Sequence, residues 1–227
     1  MGTYTYLLLD LFTLSPVLFL SFDKWVRFHR KWIPALLSII PIAVVFILWD
    51  VWFVDLGVWH FNPKYLVGFF IGVLPLEEHL FFLVVPWVCL FIYESLKYHF
   101  PFLLRFKHVQ WGNLLILLAA VLMLFGYDGY YTVVNASLAV VSSLLILLFC
   151  STNEKVYFMW MYLLHLIPFA FVNGVLTSYP VVIYNDTENM GIRIGSIPLD
   201  DFFYSYNLLA LVFFLYSRIN RLSFFRS

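Results

Sequence analysis

The chain has 227 residues, of which 63% are hydrophobic and 11% charged, with a mean hydropathy of +0.92 and no net charge. A soluble domain of this length cannot bury so many apolar side chains, so we exclude that class and predict a polytopic membrane protein. Zero net charge offers no basic face for nucleic acid. The two cysteines, Cys89 and Cys150, lie in apolar runs, which argues against a disulfide framework or a metal site.

Apolar stretches of about 20 residues predict seven membrane-spanning helices. They cover residues 3–21, 32–54, 66–93, 111–126, 131–150, 156–177 and 197–217. The third stretch is long, and Pro75 is expected to kink or restart it, because proline disrupts a helix interior but suits a first turn. The predicted fold class is therefore all-α, a polytopic transmembrane helical bundle.

Lysine and arginine are distributed unevenly between the loops. Eleven of them lie in one set of alternate segments and two, Lys64 and Arg193, lie in the other set. Because positive residues are enriched on the cytoplasmic side, we expect the N-terminus outside and the C-terminus in the cytoplasm. The expected location is the cell membrane.

Two adjacent carboxyl groups, Glu77 and Glu78, interrupt the apolar third stretch. Placing an ionisable side chain inside a membrane segment costs roughly several kcal/mol of free energy. Such a residue is therefore a candidate functional residue. The surrounding Pro-Leu-Glu-Glu returns as Pro-Leu-Asp-Asp, with Asp200 and Asp201, 123 residues later. Residues 59–78 and 182–201 share 6 identities in 20 positions, several of them glycine, proline or asparagine. The sequence therefore predicts an internal duplication.

The duplication predicts an arrangement of two parallel three-helix repeats. We expect a first repeat over residues 1–100, a connecting helix over 101–127 and a second repeat over 128–227. Parallel repeats are related by an axis along the membrane normal and commonly place a site at their interface. The polar residues expected at the same depth as the acidic pairs are Asp50, Asn62, Asn173 and Asn185, with Asp10 as a further member.

The residue types of the acidic motifs favour acid–base chemistry on an apolar substrate. A carboxyl group among apolar side chains loses the solvation of its anion, and a second carboxyl beside it opposes double ionisation. Such a pair provides both a proton donor and a proton acceptor. Phe81, Phe82, Phe202, Phe203 and Tyr204 follow the acids, and their ring faces would stabilise a positive charge.

Pro-Leu-Glu-Glu followed by Phe81-Phe82, the Pro-Leu-Asp-Asp copy and the segment Trp59-His60-Phe61-Asn62 resemble the CrtYcd/CarR-type membrane lycopene cyclases. The resemblance covers nearly the whole chain. It implies cyclisation of the ψ-ends of lycopene to β-rings, a redox-neutral isomerisation through a carbocation. Consistent with a reaction that needs no cofactor, the sequence lacks a Gly-x-Gly-x-x-Gly dinucleotide fingerprint.

The resemblance also implies the roles of particular residues and partners. The catalytic groups would be Glu77 and Glu78 first, with Asp200 and Asp201 second because aspartate is shorter. The residues expected to bind the substrate are Asp50, Asn62, Asn185, Phe81, Phe82 and Tyr204. The expected partners are lycopene, the lipid bilayer and either other carotenoid-pathway enzymes or a second copy of the chain. No metal is expected.

Several alternatives stay open at this point. The acidic pairs could be helix N-terminal charges that the dipole favours, and the asparagines could cap helices or form turns. A parallel-repeat transporter, a prenyltransferase and a carotenoid hydratase are rival functions. A transporter path should carry polar residues along whole helices, and a prenyltransferase needs water-facing aspartates for magnesium. A retinal receptor is excluded because the seventh stretch, residues 197–217, contains no lysine.

Overall fold

The computed structural model describes residues 2–222 and is a bundle of seven α-helices. The helices are α1 (Thr5–Leu20), α2 (Trp32–Asp55), α3 (Leu76–His99), α4 (Gly112–Gly126), α5 (Tyr130–Phe149), α6 (Thr152–Ser178) and α7 (Leu199–Ile219). Four short 3-10 helices lie at Phe28–Lys31, Pro63–Tyr65, Pro101–Arg105 and Lys107–Trp111. The predicted helical bundle is confirmed.

Six of the helices are long and apolar enough to cross a membrane, and α1 is apolar but only 16 residues long. The protein is therefore an integral membrane protein. Helices α3 and α7 lie in the centre, where 50% and 56% of their apolar windows are buried, against 17% for α4. The two helices that carry the acidic motifs are thus the inner helices, and α4 is peripheral.

Six short strands lie between the helices. They are β1 (Trp59–Phe61), β2 (Phe70–Ile71), β3 (Leu74–Pro75), β4 (Val182–Tyr184), β5 (Arg193–Ile194) and β6 (Ile197–Pro198). The prediction of helix over residues 66–75 was wrong, because this segment includes the β2–β3 hairpin. The expected restart at Pro75 is confirmed, since Pro75 is the N-cap residue of α3.

Glycine explains the hairpin turns. Gly72 and Gly195 have φ values of +67° and +64°, a region that residues with a side chain rarely adopt. Gly68 and Gly191 have φ values of +87° and +66°. In membrane helices the glycine-x-x-x-glycine spacing often marks a helix-packing face. Here, in each repeat, it serves a turn before the helix instead.

Strands β1 and β4 join the two repeats at one end of the bundle. They pair antiparallel, with Trp59 opposite Tyr184. Asn62 N–H donates to the Val181 carbonyl over 2.9 Å, and Asn185 N–H donates to the Val58 carbonyl over 2.8 Å. These two bonds are equivalent at an offset of 123 residues, so the repeats face each other in a two-fold relation. We call this end, residues 56–75 and 179–198, the hairpin end.

The local structure of the two repeats matches residue by residue. Phe70 pairs with Pro75 in one hairpin, and Arg193 pairs with Pro198 in the other, at the same offset of 123 residues. The internal repeat inferred from the sequence is thus present in the backbone. Lys64 and Arg193 lie at the hairpin end, and the other ten described lysines and arginines lie elsewhere.

Candidate active site

An elongated cavity, part of it open to the outside, lies between the two repeats. Four carboxyl groups line it, and they belong to Asp10, Asp50, Glu78 and Asp201. All four residues are buried. Along α3 the lining runs from Glu78 to Ile92, which is about 21 Å at the helical rise per residue. Beyond the acids the lining is mainly apolar, so the cavity suits a long hydrocarbon with one end among carboxyl groups.

The first acidic group is a pair of carboxyls, Asp50 on α2 and Glu78 on α3. Their side chains are neighbours, and two carboxyls can hydrogen-bond to each other only when one of them carries a proton. Tyr6 donates its O–H to Glu78 Oε2 over 2.7 Å, and Tyr204 donates to Asp50 Oδ1 over 2.7 Å. One tyrosine therefore holds each carboxyl of the pair, Tyr6 on Glu78 and Tyr204 on Asp50.

The second acidic group is a single carboxylate, Asp201 on α7, with three donors. Tyr131 donates to Oδ1 over 2.7 Å, and Asn173 and Tyr184 each donate to Oδ2 over 2.9 Å. Burial and the nearby carboxylate hold the pKa of Tyr184, on strand β4, well above its usual value, so this phenol remains a donor. Three donors on one carboxyl stabilise its anion.

Glu77 and Asp200, the first acid of each predicted catalytic pair, do not line the cavity. Glu77 Oε1 accepts the Val67 N–H over 2.7 Å, and Asp200 Oδ2 accepts the Met190 N–H over 3.1 Å, which is the equivalent bond. Asp200 Oδ1 also accepts the Thr132 hydroxyl over 2.6 Å. Both carboxyls thus fix the backbone ahead of the hairpin. Neither carboxyl contacts the cavity, where the predicted catalytic role would require it to lie.

The predicted aromatic residues divide in the same way. Phe81 and Tyr204 line the cavity, together with Trp59. Phe82 is completely buried in the core, where its ring lies 6.0 Å from that of Phe46. Tyr204 is surrounded by rings, with Trp49 at 5.0 Å between centroids. The cavity therefore has aromatic walls close to the acids, as a cationic intermediate would need.

The predicted substrate-binding asparagines lie in turns at the hairpin end. Asn62 Oδ1 accepts the Lys64 N–H over 3.1 Å, and Asn185 Oδ1 accepts the Thr187 hydroxyl over 2.8 Å. Neither side chain lines the cavity. The turn-forming alternative therefore accounts for both residues, and the proposed site does not include them.

Sequence reasoning did not single out the tyrosines that hold the acids, namely Tyr6, Tyr131 and Tyr184. A signal for two of them exists, because Tyr6 and Tyr131 occupy the start of the first helix of each repeat, 125 residues apart. Asn173, placed by sequence at the depth of the acids, does bind Asp201. Within residues 2–222, no group of three or more His, Cys, Asp or Glu side chains is arranged to hold a metal ion.

Fold and site together define an integral membrane protein with a buried acid–base site at one end of an apolar cavity. The sequence model described as lycopene cyclase matches residues 3–96 and 128–219, so the chain belongs to the lycopene cyclase family. The two matched segments correspond to the two repeats, and α4 lies between them. No curated protein and no solved structure matches the chain. Its membership implies a carotenoid substrate.

Proposed function

We propose that the protein is a lycopene β-cyclase, which closes the ψ-ends of lycopene to β-rings without redox chemistry. The observation that carries the proposal is the pair of neighbouring carboxyls, Asp50 and Glu78, each held by a tyrosine at the acidic end of an apolar cavity. Lycopene is a hydrocarbon, so its binding needs apolar surface, and its only reactive feature here is its double bonds. A protonated carboxyl is the group that such a substrate requires.

In this proposal Glu78 donates the proton to the terminal double bond of the bound end. A C–H bond forms, and a tertiary carbocation remains on the neighbouring carbon. The carboxylate left on Glu78 keeps the hydrogen bond that Tyr6 donates, and Tyr204 donates to the neighbouring Asp50. These donors are in place before the reaction, so the conjugate base is stabilised without reorganisation.

The next double bond along the chain then attacks the cation and closes a six-membered ring. The positive charge moves to a ring carbon. Asp201 faces the same cavity as an anion, and the rings of Trp59, Phe81 and Tyr204 line it. A carboxylate whose lone pairs are occupied by three donors attracts the cation but competes poorly for a covalent bond or a proton. We assign Asp201 this electrostatic role.

The experiment that tests the proposal is expression of the chain in a bacterium that accumulates lycopene, followed by pigment analysis. We expect cyclic carotene with β-rings to form, and no dependence on added flavin or nicotinamide. Membrane-inserted protein is measured in parallel. Extracts that contain only lycopene despite normal insertion would remove the cyclase proposal, and a hydroxylated acyclic product would replace it with a hydratase.

Orientation in the membrane is a second part of the proposal. The excess of lysine and arginine away from the hairpin end favours a cytoplasmic location for that opposite face. A reporter inserted near residue 188 should therefore give an extracytoplasmic signal, and reporters after residue 108 or at the C-terminus should give a cytoplasmic one. A cytoplasmic signal at 188 would invert the orientation without changing the site.

A further inference from the structure

One carboxyl that lines the cavity has no part in the steps above. Asp10 lies on α1, is 3% exposed, and its buried Oδ2 atom has no hydrogen-bond partner among residues 2–222. No salt bridge within residues 2–222 involves Asp10. A buried carboxyl without a donor or a cation is costly for folding, so a residue retained in this form points to a ligand that supplies what is missing.

The other repeat shows that the fold does not require an acid at this position. Asn135 is the equivalent residue, 125 positions later, just as Tyr131 is the equivalent of Tyr6. Its Nδ2 donates to the Asp200 carbonyl over 2.6 Å, and its Oδ1 accepts from Asn207 over 2.7 Å. An amide therefore fits the corresponding place and is fully bonded there. The acid occurs only in the repeat that contains the carboxyl pair.

The depth of Asp10 matches a later step of the reaction. Asp10 follows Tyr6 by one helical turn, so it lies about 6 Å further from the hairpin end along α1. Tyr6 contacts Glu78, the proton donor to the end of the substrate. The ring carbon that joins the new ring to the polyene lies inward from that end, on the side of Asp10.

We propose that Asp10 is the proton acceptor that selects the β-ring, an inference that rests on the proposed cyclase function. After ring closure the cation is next to three kinds of C–H bond, and each gives a different ring isomer on losing its proton. Loss from the carbon that joins the polyene gives the β-ring. A carboxylate one turn deeper than the donor favours that carbon.

The atoms and charges balance in this scheme. Glu78 gives one proton to the terminal double bond, ring closure makes one C–C bond, and the broken C–H bond supplies the electrons of the new double bond in the ring. Asp10 takes that proton. When the product leaves, the proton returns from Asp10 to Glu78, beside Tyr6. Within residues 2–222, Asp10 is the one cavity carboxyl that accepts no hydrogen bond, which makes it the strongest base when it is ionised.

The test is the ring-isomer ratio formed by Asp10→Asn, a change for which Asn135 is the precedent in the same chain. We expect β-ring formation per inserted protein to fall by about 10²-fold or more, as for the loss of a general base. The residual rings should be those made by proton loss at neighbouring carbons. Asp10→Glu keeps the base and should restore most of the rate, and Asp55→Asn, at the exposed end of α2, is the matched control.

The outcomes separate this inference from the proposed function. If the wild-type chain makes no rings, the cyclase proposal fails first. If it makes rings and Asp10→Asn has the same rate and isomer ratio, Asp10 is not the acceptor. Complete loss of conversion with normal insertion would also overturn the ring-selecting role and move Asp10 to the donor group. If Asp10→Asn does not insert, rate and ratio are read from Asp10→Ala, which also lacks the base, and unchanged values there count against the proposal.

Discussion

The two repeats carry the same fold and different acidic groups. In the first repeat the cavity carboxyl Glu78 faces another carboxyl, Asp50, and in the second repeat Asp201 faces an amide, Asn173. Asp50 and Asn173 occupy equivalent positions, 123 residues apart. Two neighbouring carboxyls can share a proton that is available for transfer, and the bond from Asn173 to Asp201 forms with no such proton.

This difference indicates that the repeats divide one reaction between them. In the proposed reaction the first repeat supplies proton transfer, and the second supplies a fixed negative charge. They are also joined, because Tyr204 of the second repeat donates to Asp50 of the first. The position equivalent to Tyr204 is Phe81, which has no hydroxyl to return the bond. Neither repeat therefore contains a complete site, and the division predicts unequal effects of matched substitutions.

The largest effect is expected from Glu78→Gln and Asp50→Asn, since Asp50→Asn makes the first site resemble the second. Both variants remove a carboxyl from the proton-transfer pair, and we expect cyclic carotene per inserted protein to fall by about 10²–10⁴-fold. Asn173→Asp is the matched change in the other repeat and should cost less than tenfold. Near-wild-type turnover by Asp50→Asn would end the assignment of proton transfer to this pair.

Asp201→Asn should have the next largest effect. It removes the anion that faces the cation, together with charge-assisted hydrogen bonds of about 1.5–3 kcal/mol, which corresponds to about 10- to 150-fold in rate. The KM for lycopene should change little, because the charge acts on the cation and not on the hydrocarbon. Membrane assays that resolve kcat from KM check this, and a pure KM effect would contradict it.

The two equivalent tyrosines provide a finer comparison. Tyr6→Phe removes a donor from Glu78, and at about 0.5–1.5 kcal/mol for one hydrogen bond we expect a roughly 2- to 12-fold loss of kcat. Tyr131→Phe leaves Asp201 with Asn173 and Tyr184, so its effect should be smaller. The ratio of the two kcat values is the measurement, and a larger loss for Tyr131→Phe would reverse the roles of the repeats.

The smallest effect on activity is expected at Glu77 and Asp200. Glu77→Gln and Asp200→Asn weaken a bond to the backbone, which should lower the free energy of unfolding by about 0.5–1.5 kcal/mol. Turnover per folded molecule should remain close to that of the wild type. Thermal unfolding in detergent and activity of the same samples separate the two quantities. A loss of turnover without a loss of stability would return Glu77 to the catalytic group.

Hydropathy and the repeated motif predicted most of the architecture. The ends of α2, α4, α5, α6 and α7 lie within four residues of the predicted ones, because length and apolarity define a membrane helix. The hairpin before α3 was missed, since its residues 66–74 are as apolar as the helix that follows. The boundaries of the repeats at residues 100 and 128 stay a prediction.

The acidic motifs were found from sequence, but not the division of labour within each. Adjacent residues on a helix point about 100° apart, so two neighbouring carboxyls cannot both face one cavity. Helical geometry alone thus singles out one acid of each pair, and it takes the packing of α3 and α7 to show that the inward ones are Glu78 and Asp201. The tyrosine donors depend on contacts about 70 residues apart in sequence, which no local pattern reveals.

The acids of both repeats meet at the hairpin end of a single cavity, and its remaining length along α3 is lined mainly by apolar residues such as Val84, Val88 and Ile92. In the proposed function, a symmetric linear substrate has two reactive ends, and this cavity would offer chemistry to only one of them at a time. Its second end would reach the acids only after the first had left the cavity, so release into the bilayer and rebinding would belong to the catalytic cycle.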